Sequence, residues 1–173
     1  MSLSHLLVEP VRNVIGLSKV VSVMSKAIQQ HEIENFFNGY EARFNDALAG
    51  GEPDIDETIN SFAPYFIEAN PAGVIAGKND KKFKKSISEG WMFYKKIGIR
   101  SMDILSNQIT ILDDFHAIVK IHWNSSFVRK DKSKGDIAFD VYYLVQKNKD
   151  DIRIFAYITG DEQQALKDEG LIS

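Results

Sequence analysis

The chain has 173 residues, of which 44% are hydrophobic and 26% are charged, a composition typical of one globular domain with an ordinary core. Its net charge of −3 disfavours a protein that covers a nucleic acid with its whole surface. Because the sequence contains no cysteine, disulfides, thiolate zinc sites, iron–sulfur clusters and cysteine nucleophiles are excluded.

Residues 1–30 predict a helical extension before the main domain. Five apolar residues fall near one helical face of this segment: Val11, Val14, Ile15, Val21 and Ile28. No apolar run reaches the roughly 18 residues that a membrane-spanning helix needs, and no cleavage site typical of a secretory signal is present. We therefore expect a cytoplasmic protein whose first helix packs on the domain or on a partner subunit, with a membrane-surface or targeting helix as the alternative.

The next segment predicts two helices. Apolar residues from Ile33 to Ala47 recur with the helical period, and Gly50-Gly51 predicts the end of that helix. Asp54 with Glu57 resembles a capping box, which predicts a short second helix that Pro64 ends.

A hairpin and a third helix are expected next. Residues 65–69 and 74–76 predict short strands around the turn at 70–73. Asn79 or Asp80 can cap a helix that runs to about Ile97.

After Gly98 the period of apolar residues changes from helical to alternating, which predicts strands. Asp161 is expected to cap a last helix that ends near Gly170. The four predicted strands cover residues 99–112, 115–128, 137–147 and 152–159.

This order of elements predicts the α+β class, with a curved antiparallel sheet wrapped around N-terminal helices to form a cone-shaped α+β barrel. Three segments, LAGGE at 48–52, EANPAG at 68–73 and Phe139-Asp140, resemble the nuclear transport factor 2-like superfamily, which includes ketosteroid isomerases, scytalone dehydratase and polyketide cyclases. The resemblance covers about residues 31–169 and implies a domain over residues 31–173 with a cavity inside the cone.

Alternation separates the two faces of the predicted sheet. A symmetric loop centred on Lys132 would place Asp140 opposite Asn124 and Tyr142 opposite His122. The turn at 148–151 would likewise place Tyr142 opposite Tyr157. The other face is strongly apolar: Val119, Ile121, Trp123, Phe139, Val141, Tyr143, Ile154, Ala156 and Ile158.

Two interpretations of these faces are open. In one, the apolar face packs on the helices and the polar face is solvated. In the other, which we favour here, the polar and aromatic face points into the cone, and the apolar face meets the same face of a second subunit. The resemblance to isomerases also implies a pocket-facing carboxyl group at Asp140.

On the favoured interpretation, Asp140 and His122 are the candidate catalytic residues. Burial among aromatic rings would raise the pKa of Asp140 and keep it protonated, while His122 could act as acid or base. The candidate ligand-binding residues are Tyr40, Glu68, Asn70, Trp91, Asn124, Tyr142, Phe155 and Tyr157.

The resemblance also implies a difference from the ketosteroid isomerases. Their proton-abstracting Asp corresponds to Asn70, and an amide cannot act as a general base. Steroid isomerisation by that mechanism is therefore disfavoured.

The sequence offers little support for a metal site or a nucleic-acid site. His116 and His122 lie six residues apart on one predicted strand, which is about 20 Å, so they cannot share a metal ion. We expect no metal and no cofactor. The basic runs at 81–85 and 129–134 are expected to be solvated surface, with an anionic partner as the alternative.

Three classes of function remain. The first is a protein that binds a small hydrophobic or aromatic ligand and forms a homodimer through its sheet, without nucleic-acid or membrane partners. The second is a cofactor-independent lyase, isomerase or cyclase that uses Asp140 and His122. The third is a dimeric protein-interaction domain.

Overall fold

A computed structural model describes residues 27–149 and 151–173 of the chain. The predicted extension over residues 1–30 therefore lies almost entirely outside the described residues. No helix in the described ranges is long and apolar enough to cross a bilayer. The helices are α1 (Gln30–Ala49), α2 (Ile55–Asn60), α3 (Lys81–Ile97) and α4 (Glu162–Asp168). The strands are β1 (Phe62–Asn70), β2 (Gly73–Lys78), β3 (Ile99–Ile111), β4 (His116–Val128), β5 (Lys134–Asn148) and β6 (Asp151–Ile158).

The six strands form one curved sheet in the order β2-β1-β6-β5-β4-β3. The predicted α+β class and the curved sheet around the N-terminal helices are confirmed. The sheet is mixed, because the hairpin of β1 and β2 joins the meander through a parallel pairing of β1 with β6. It stays open, with β2 and β3 as its edges.

Side-chain caps fix where the shorter helices begin. Asp54 accepts a hydrogen bond from the Glu57 N–H at 2.9 Å, which confirms the predicted start of α2. Asp80 accepts from the Lys82 N–H at 2.8 Å at the start of α3. Asp161 accepts from the Gln164 N–H at 2.9 Å and begins α4.

The core lies on the odd-numbered face of β4 and β5. Burial alternates along the whole of β4, where Val119, Ile121 and Trp123 are buried and the even-numbered side chains between them are partly exposed. Ile33 and Phe37 of α1 pack into the same cluster. The favoured interpretation of the faces was therefore wrong, because the sheet buries its more apolar face against the helices.

The strand registers also differ from the predicted ones. The loop between β4 and β5 is centred on Asp131, so His122 lies directly opposite Asp140. This shift of two residues keeps each side chain on its predicted face. In β6, the register slips by one residue at Phe155, which brings Tyr157 opposite Tyr143 and turns it to the inner side of the sheet.

Candidate functional site

A cavity of about 360 Å³ lies between the inner face of the sheet and the helices α1, α3 and α4. Its volume is within the range of small-molecule sites. Apolar side chains form most of its wall: Phe44, Ile99, Met102, Ile137, Phe139 and Leu166. The cavity thus has the apolar lining that excludes water from a bound organic molecule.

Two side chains of β4 bring unpaired polar atoms to this lining. Trp123 and Ser125 are two residues apart on the inner face, and both line the cavity. The Trp123 Nε1 and the Ser125 Oγ are buried and have no hydrogen-bond partner among the described residues. Burying a polar group without a partner costs about 1–3 kcal/mol, so a rotation of either side chain that pairs its polar group with a ligand in the cavity would be favourable.

Tyrosine hydroxyls add further donors to the cavity. Burial raises the pKa of Tyr40 to about 12. Burial also raises the pKa of Tyr143 well above its ordinary value. The indole N–H of Trp123 approaches the Tyr143 hydroxyl and opposes part of that shift, but the two groups do not reach hydrogen-bond geometry. Both tyrosines therefore remain protonated and able to donate at neutral pH.

A carboxylate lies at the edge of the cavity that α4 forms. Glu162, the first residue of α4, accepts a hydrogen bond from the Tyr94 hydroxyl. Burial, followed by the nearby Glu162 carboxylate, raises the pKa of Tyr94 well above its ordinary value. Tyr94 therefore keeps its proton and holds Glu162 in place beside the cavity.

The structure places the predicted site residues in several separate regions. Tyr40 is the one predicted residue that lines the cavity. Trp91 is buried and packs edge-on against Phe44, with ring centroids 6.4 Å apart. Asn70 closes the hairpin turn, where its Oδ1 accepts from the Ala72 N–H at 2.9 Å. Phe155 lies in the bulge of β6 beside the ring of His116.

The predicted pair of Asp140 and His122 exists, but it lies on the outer face of the sheet. The His122 Nδ1 is 2.8 Å from the Asp140 Oδ1, and the Lys120 Nζ is 2.8 Å from the Asp140 Oδ2. The His122 and Asp140 side chains are 42% and 37% exposed. Asn124 and Tyr142 share this outer face, where Asn124 donates to Asp136 and Tyr142 lies beneath the Lys120 ammonium.

The expected protonation of Asp140 is also wrong. Its pKa is lowered, first by the hydrogen bond from Lys120 and then by the one from His122. Asp140 is therefore ionised at neutral pH. The prediction failed because it assumed burial, whereas in the structure two neighbouring donors stabilise the charged form.

Glu68 and Tyr157, the remaining predicted residues, meet outside the cavity. The Tyr157 hydroxyl donates to the Glu68 Oε2 at 2.7 Å. Burial, followed by this hydrogen bond, raises the pKa of Tyr157. Both side chains line a second, more open groove between the β1–β2 hairpin and α3, which shares no lining residue with the cavity.

The sequence interpretation missed Trp123, Ser125, Tyr143 and Glu162 as cavity residues. The most informative signal was Ser125, because it interrupts the apolar odd-numbered positions of β4. A lone hydroxyl on an otherwise apolar face is a candidate ligand contact once that face is known to point inward. Within residues 27–149 and 151–173, no group of three or more His, Cys, Asp or Glu side chains is arranged to hold a metal ion.

Residues 31–162 match the model of a family described as NTF2-like protein (DUF6841). No curated protein matches the sequence.

Solved structures show the same fold. An NTF-2 like protein of unknown function from Shewanella oneidensis has a TM-score of 0.58 and 16% identity, covering 78% of this chain and 100% of its own. A ketosteroid isomerase-like protein from Erwinia carotovora atroseptica has a TM-score of 0.51 and 17% identity, covering 75% of this chain and 93% of its own. A scytalone dehydratase-like protein from Novosphingobium aromaticivorans has a TM-score of 0.54 and 13% identity, covering 75% of this chain and 80% of its own.

Proposed function

The chain belongs to the NTF2-like family DUF6841, and we propose that its cavity binds a small, largely apolar molecule that carries a hydrogen-bond acceptor such as a carbonyl oxygen. The observation that carries this proposal is an apolar cavity whose lining includes four residues with hydrogen-bond donors, Trp123, Ser125, Tyr40 and Tyr143. An apolar enclosure with a few convergent polar groups is the usual form of a small-molecule site.

The polar groups of the cavity favour an acceptor on the ligand. The indole N–H of Trp123 can only donate, and the hydroxyls of Ser125, Tyr40 and Tyr143 can each donate one hydrogen bond. A ketone or phenolate oxygen could accept from more than one of them. A pure hydrocarbon would leave these groups unpaired, so it should bind more weakly than an oxygenated ligand of the same shape.

A matched pair of probes tests this preference. We expect 1-tetralone, a bicyclic aromatic ketone, to bind about tenfold more tightly than tetralin, the same ring system without the carbonyl, which corresponds to the 1.4 kcal/mol of one good hydrogen bond. Isothermal titration calorimetry or equilibrium dialysis on the full chain measures both affinities. Ser125→Ala and Trp123→Phe should each reduce the preference for the ketone.

Ser126→Ala provides the control, because Ser126 is the next residue of β4 and its hydroxyl contacts Ser101 at 2.7 Å instead of lining the cavity. This variant should keep the full preference. Equal affinity of the wild-type chain for ketone and hydrocarbon would contradict the proposal, as would an equal effect of Ser125→Ala and Ser126→Ala.

Proton transfer on the bound molecule is a second candidate function, and Glu162 is the observation that favours it. Its carboxylate lies at the cavity and is held by Tyr94. Ionised carboxylates serve as general bases when they reach a substrate proton. If Glu162 has this role, Glu162→Gln should abolish turnover of a confirmed substrate while its affinity changes little, and rapid-quench kinetics with a parallel binding measurement would separate the two effects.

The Asp140 and His122 pair does not support catalysis in this cavity. Both side chains lie on the outer face of the sheet, whereas the cavity lies on the inner face. Any chemistry at that pair would need a different binding surface.

A further inference from the structure

The charged residues in the lining of the cavity are all acidic. Asp161 and Glu162 are the lining residues that carry a formal charge at neutral pH, and no lysine, arginine or histidine is among the lining residues that the structure describes. Neither carboxylate forms an ion pair with another described side chain. The cavity therefore has a negative side at α4 that no described cation neutralises.

The two carboxylates make different contacts. The Asp161 Oδ1 accepts a hydrogen bond from the Gln164 N–H at 2.9 Å and caps α4. Glu162 instead accepts a hydrogen bond from the hydroxyl of Tyr94 in α3, and Tyr94 also lines the cavity. An acidic residue in the first turn stabilises a helix without any contact to a second helix, so this contact with α3 is an additional feature. It holds the Glu162 carboxylate at the rim of the cavity, where the carboxylate can accept further hydrogen bonds.

Aromatic rings lie near the Glu162 carboxylate. Tyr94 contacts the carboxylate through its hydroxyl, and the ring of Phe44 lies next to that of Tyr94, with centroids 5.8 Å apart. Both rings line the cavity. The faces of aromatic rings attract cations, because their π electrons make them negative. A cationic group of a ligand at this rim is therefore attracted both by the carboxylate and by ring faces, whereas an anionic group is repelled.

The sheet side of the cavity carries a different set of polar groups. Trp123, Ser125 and Tyr143 belong to β4 and β5, and each has a group that donates hydrogen bonds. These donors favour an acceptor on the ligand, whereas Glu162 favours a positively charged donor. Since the sheet and α4 form different walls of one cavity, a single ligand can satisfy both preferences.

We propose that the cavity selects ligands with an ammonium group, which binds the Glu162 carboxylate while the apolar body of the ligand lies between the sheet and the helices. This inference rests on the proposed binding function of the cavity and adds the charge of the ligand to it. It does not depend on proton transfer by Glu162. The ligand class is an organic amine with an apolar body, in preference to a fatty acid or another organic anion.

Three probes with one ring system and different charges test this preference: 2-aminotetralin, which is cationic at neutral pH, 2-tetralol, which is neutral, and tetralin-2-carboxylate, which is anionic. We expect 2-aminotetralin to bind the full chain about fivefold more tightly than 2-tetralol, the gain of one partly exposed ion pair, and tetralin-2-carboxylate to bind more weakly than either. Isothermal titration calorimetry measures the three affinities. Added salt should reduce the advantage of the amine, because it screens the ion pair.

Two variants of α4 assign the preference to one carboxylate. Glu162→Gln removes the charge but keeps an oxygen for the Tyr94 hydroxyl, so it should remove the advantage of 2-aminotetralin and leave the affinity for 2-tetralol unchanged. Asp168→Asn is the matched control, because it removes the same charge from the same helix at a residue that does not line the cavity. This control should keep the full advantage of the amine.

Two results would overturn the ammonium preference: equal affinities of the wild-type chain for 2-aminotetralin and 2-tetralol, or equal effects of Glu162→Gln and Asp168→Asn. Neither result contradicts tighter binding of 1-tetralone than of tetralin, so the proposed function would stand. The absence of binding by every tetralin probe would overturn both proposals. Failure of this inference is therefore distinguishable from failure of the proposed function.

Discussion

Lys147 carries its ammonium group into the interior between β5 and the start of α1. Its side chain is 2% exposed, and its Nζ lies 2.8 Å from both carboxylate oxygens of Glu32. Glu32 also accepts a hydrogen bond from the Gln29 N–H, so it ties the first turn of α1 to the sheet. Removing Glu32 leaves the Lys147 ammonium in a poorly hydrated place, whereas the Glu32 carboxylate is 29% exposed.

Replacing Glu32 and replacing Lys147 should lower the free energy of unfolding by different amounts. Glu32→Gln leaves the deeply buried Lys147 ammonium without a counterion, so we expect it to lower the free energy of unfolding by about 3 kcal/mol. Lys147→Met leaves the carboxylate of Glu32, which water can still reach, and we expect a loss of about 1–2 kcal/mol. Urea unfolding measures both values.

The pH dependence of the stability loss in Glu32→Gln tests the contribution of this ion pair. The pKa of Glu32 is lowered from 4.5, chiefly by the hydrogen bond from Lys147. Because the folded value lies below the unfolded one, its contribution is complete above about pH 4.5 and is lost as the pH falls through the folded value. The gap between wild type and Glu32→Gln should therefore narrow below pH 4.5. A gap that stays constant, or an equal loss in Glu34→Gln, would contradict this account.

At the scale of elements, the end of α3 meets the end of β4 through Gly98. This residue has φ +103°, and its carbonyl accepts a hydrogen bond from the Val128 N–H at 2.9 Å. A Cβ at Gly98 would lie 2.2 Å from the Val128 carbonyl oxygen. The backbones of the two elements can approach this closely only because the position carries no side chain.

Two glycine substitutions, one within α3 and one directly after it, should change the free energy of unfolding in opposite directions. We expect Gly98→Ala to destabilise the chain by about 3 kcal/mol, since it adds both a left-handed alanine and a backbone clash. Gly90→Ala should stabilise it by about 0.5–1 kcal/mol, because Gly90 lies in the helix interior and nothing lies within 4 Å of a Cβ there. Thermal and urea unfolding give both changes, and destabilisation by both variants would refute this explanation.

At the scale of the whole molecule, the outer face of the sheet is the surface that needs a cover. Ile67, Tyr142 and Ile158 are 41%, 40% and 47% exposed. The register places Ile158 between Ala69 and Tyr142, so apolar side chains continue from β1 across β6 to β5. An apolar surface of this continuity is unusual for a solvated sheet.

The predicted homodimer therefore remains a prediction, but through the opposite face of the sheet. We propose that two copies pack their outer faces together about a two-fold axis. Ile67→Lys combined with Ile158→Lys should convert the dimer to a monomer at micromolar concentration in sedimentation equilibrium. Ile111→Lys, an exposed apolar position at the far end of β3, is the control and should leave it dimeric. A wild-type chain that is monomeric at the same concentration would contradict the proposed dimer.

Much of the local structure follows from the sequence. Asp54, Asp80 and Asp161 begin helices as predicted, because a carboxylate that caps free N–H groups acts within one turn of chain. Such local signals were also enough to find the strands. The parallel pairing of β1 with β6 joins segments far apart in the chain, and no local signal contains it.

Less of the candidate site than of the local structure could be predicted from the sequence. Alternation in β4 and β5 correctly grouped His122 with Asp140 and Trp123 with Tyr143, because the period of two assigns side chains to faces. The period is the same whichever face is buried. Tyr157 was placed on the wrong face because a one-residue bulge in β6 interrupts that period.

The sequence by itself determined which elements form, where the helices begin and which side chains of β4 and β5 share a face. Only the tertiary structure decided that the apolar face of Trp123 and Tyr143 is the one that meets the helices, and therefore where the cavity is. The reason is physical: hydrogen bonding along a strand fixes alternation locally, whereas the choice of buried face is a competition among distant segments for the same apolar surface.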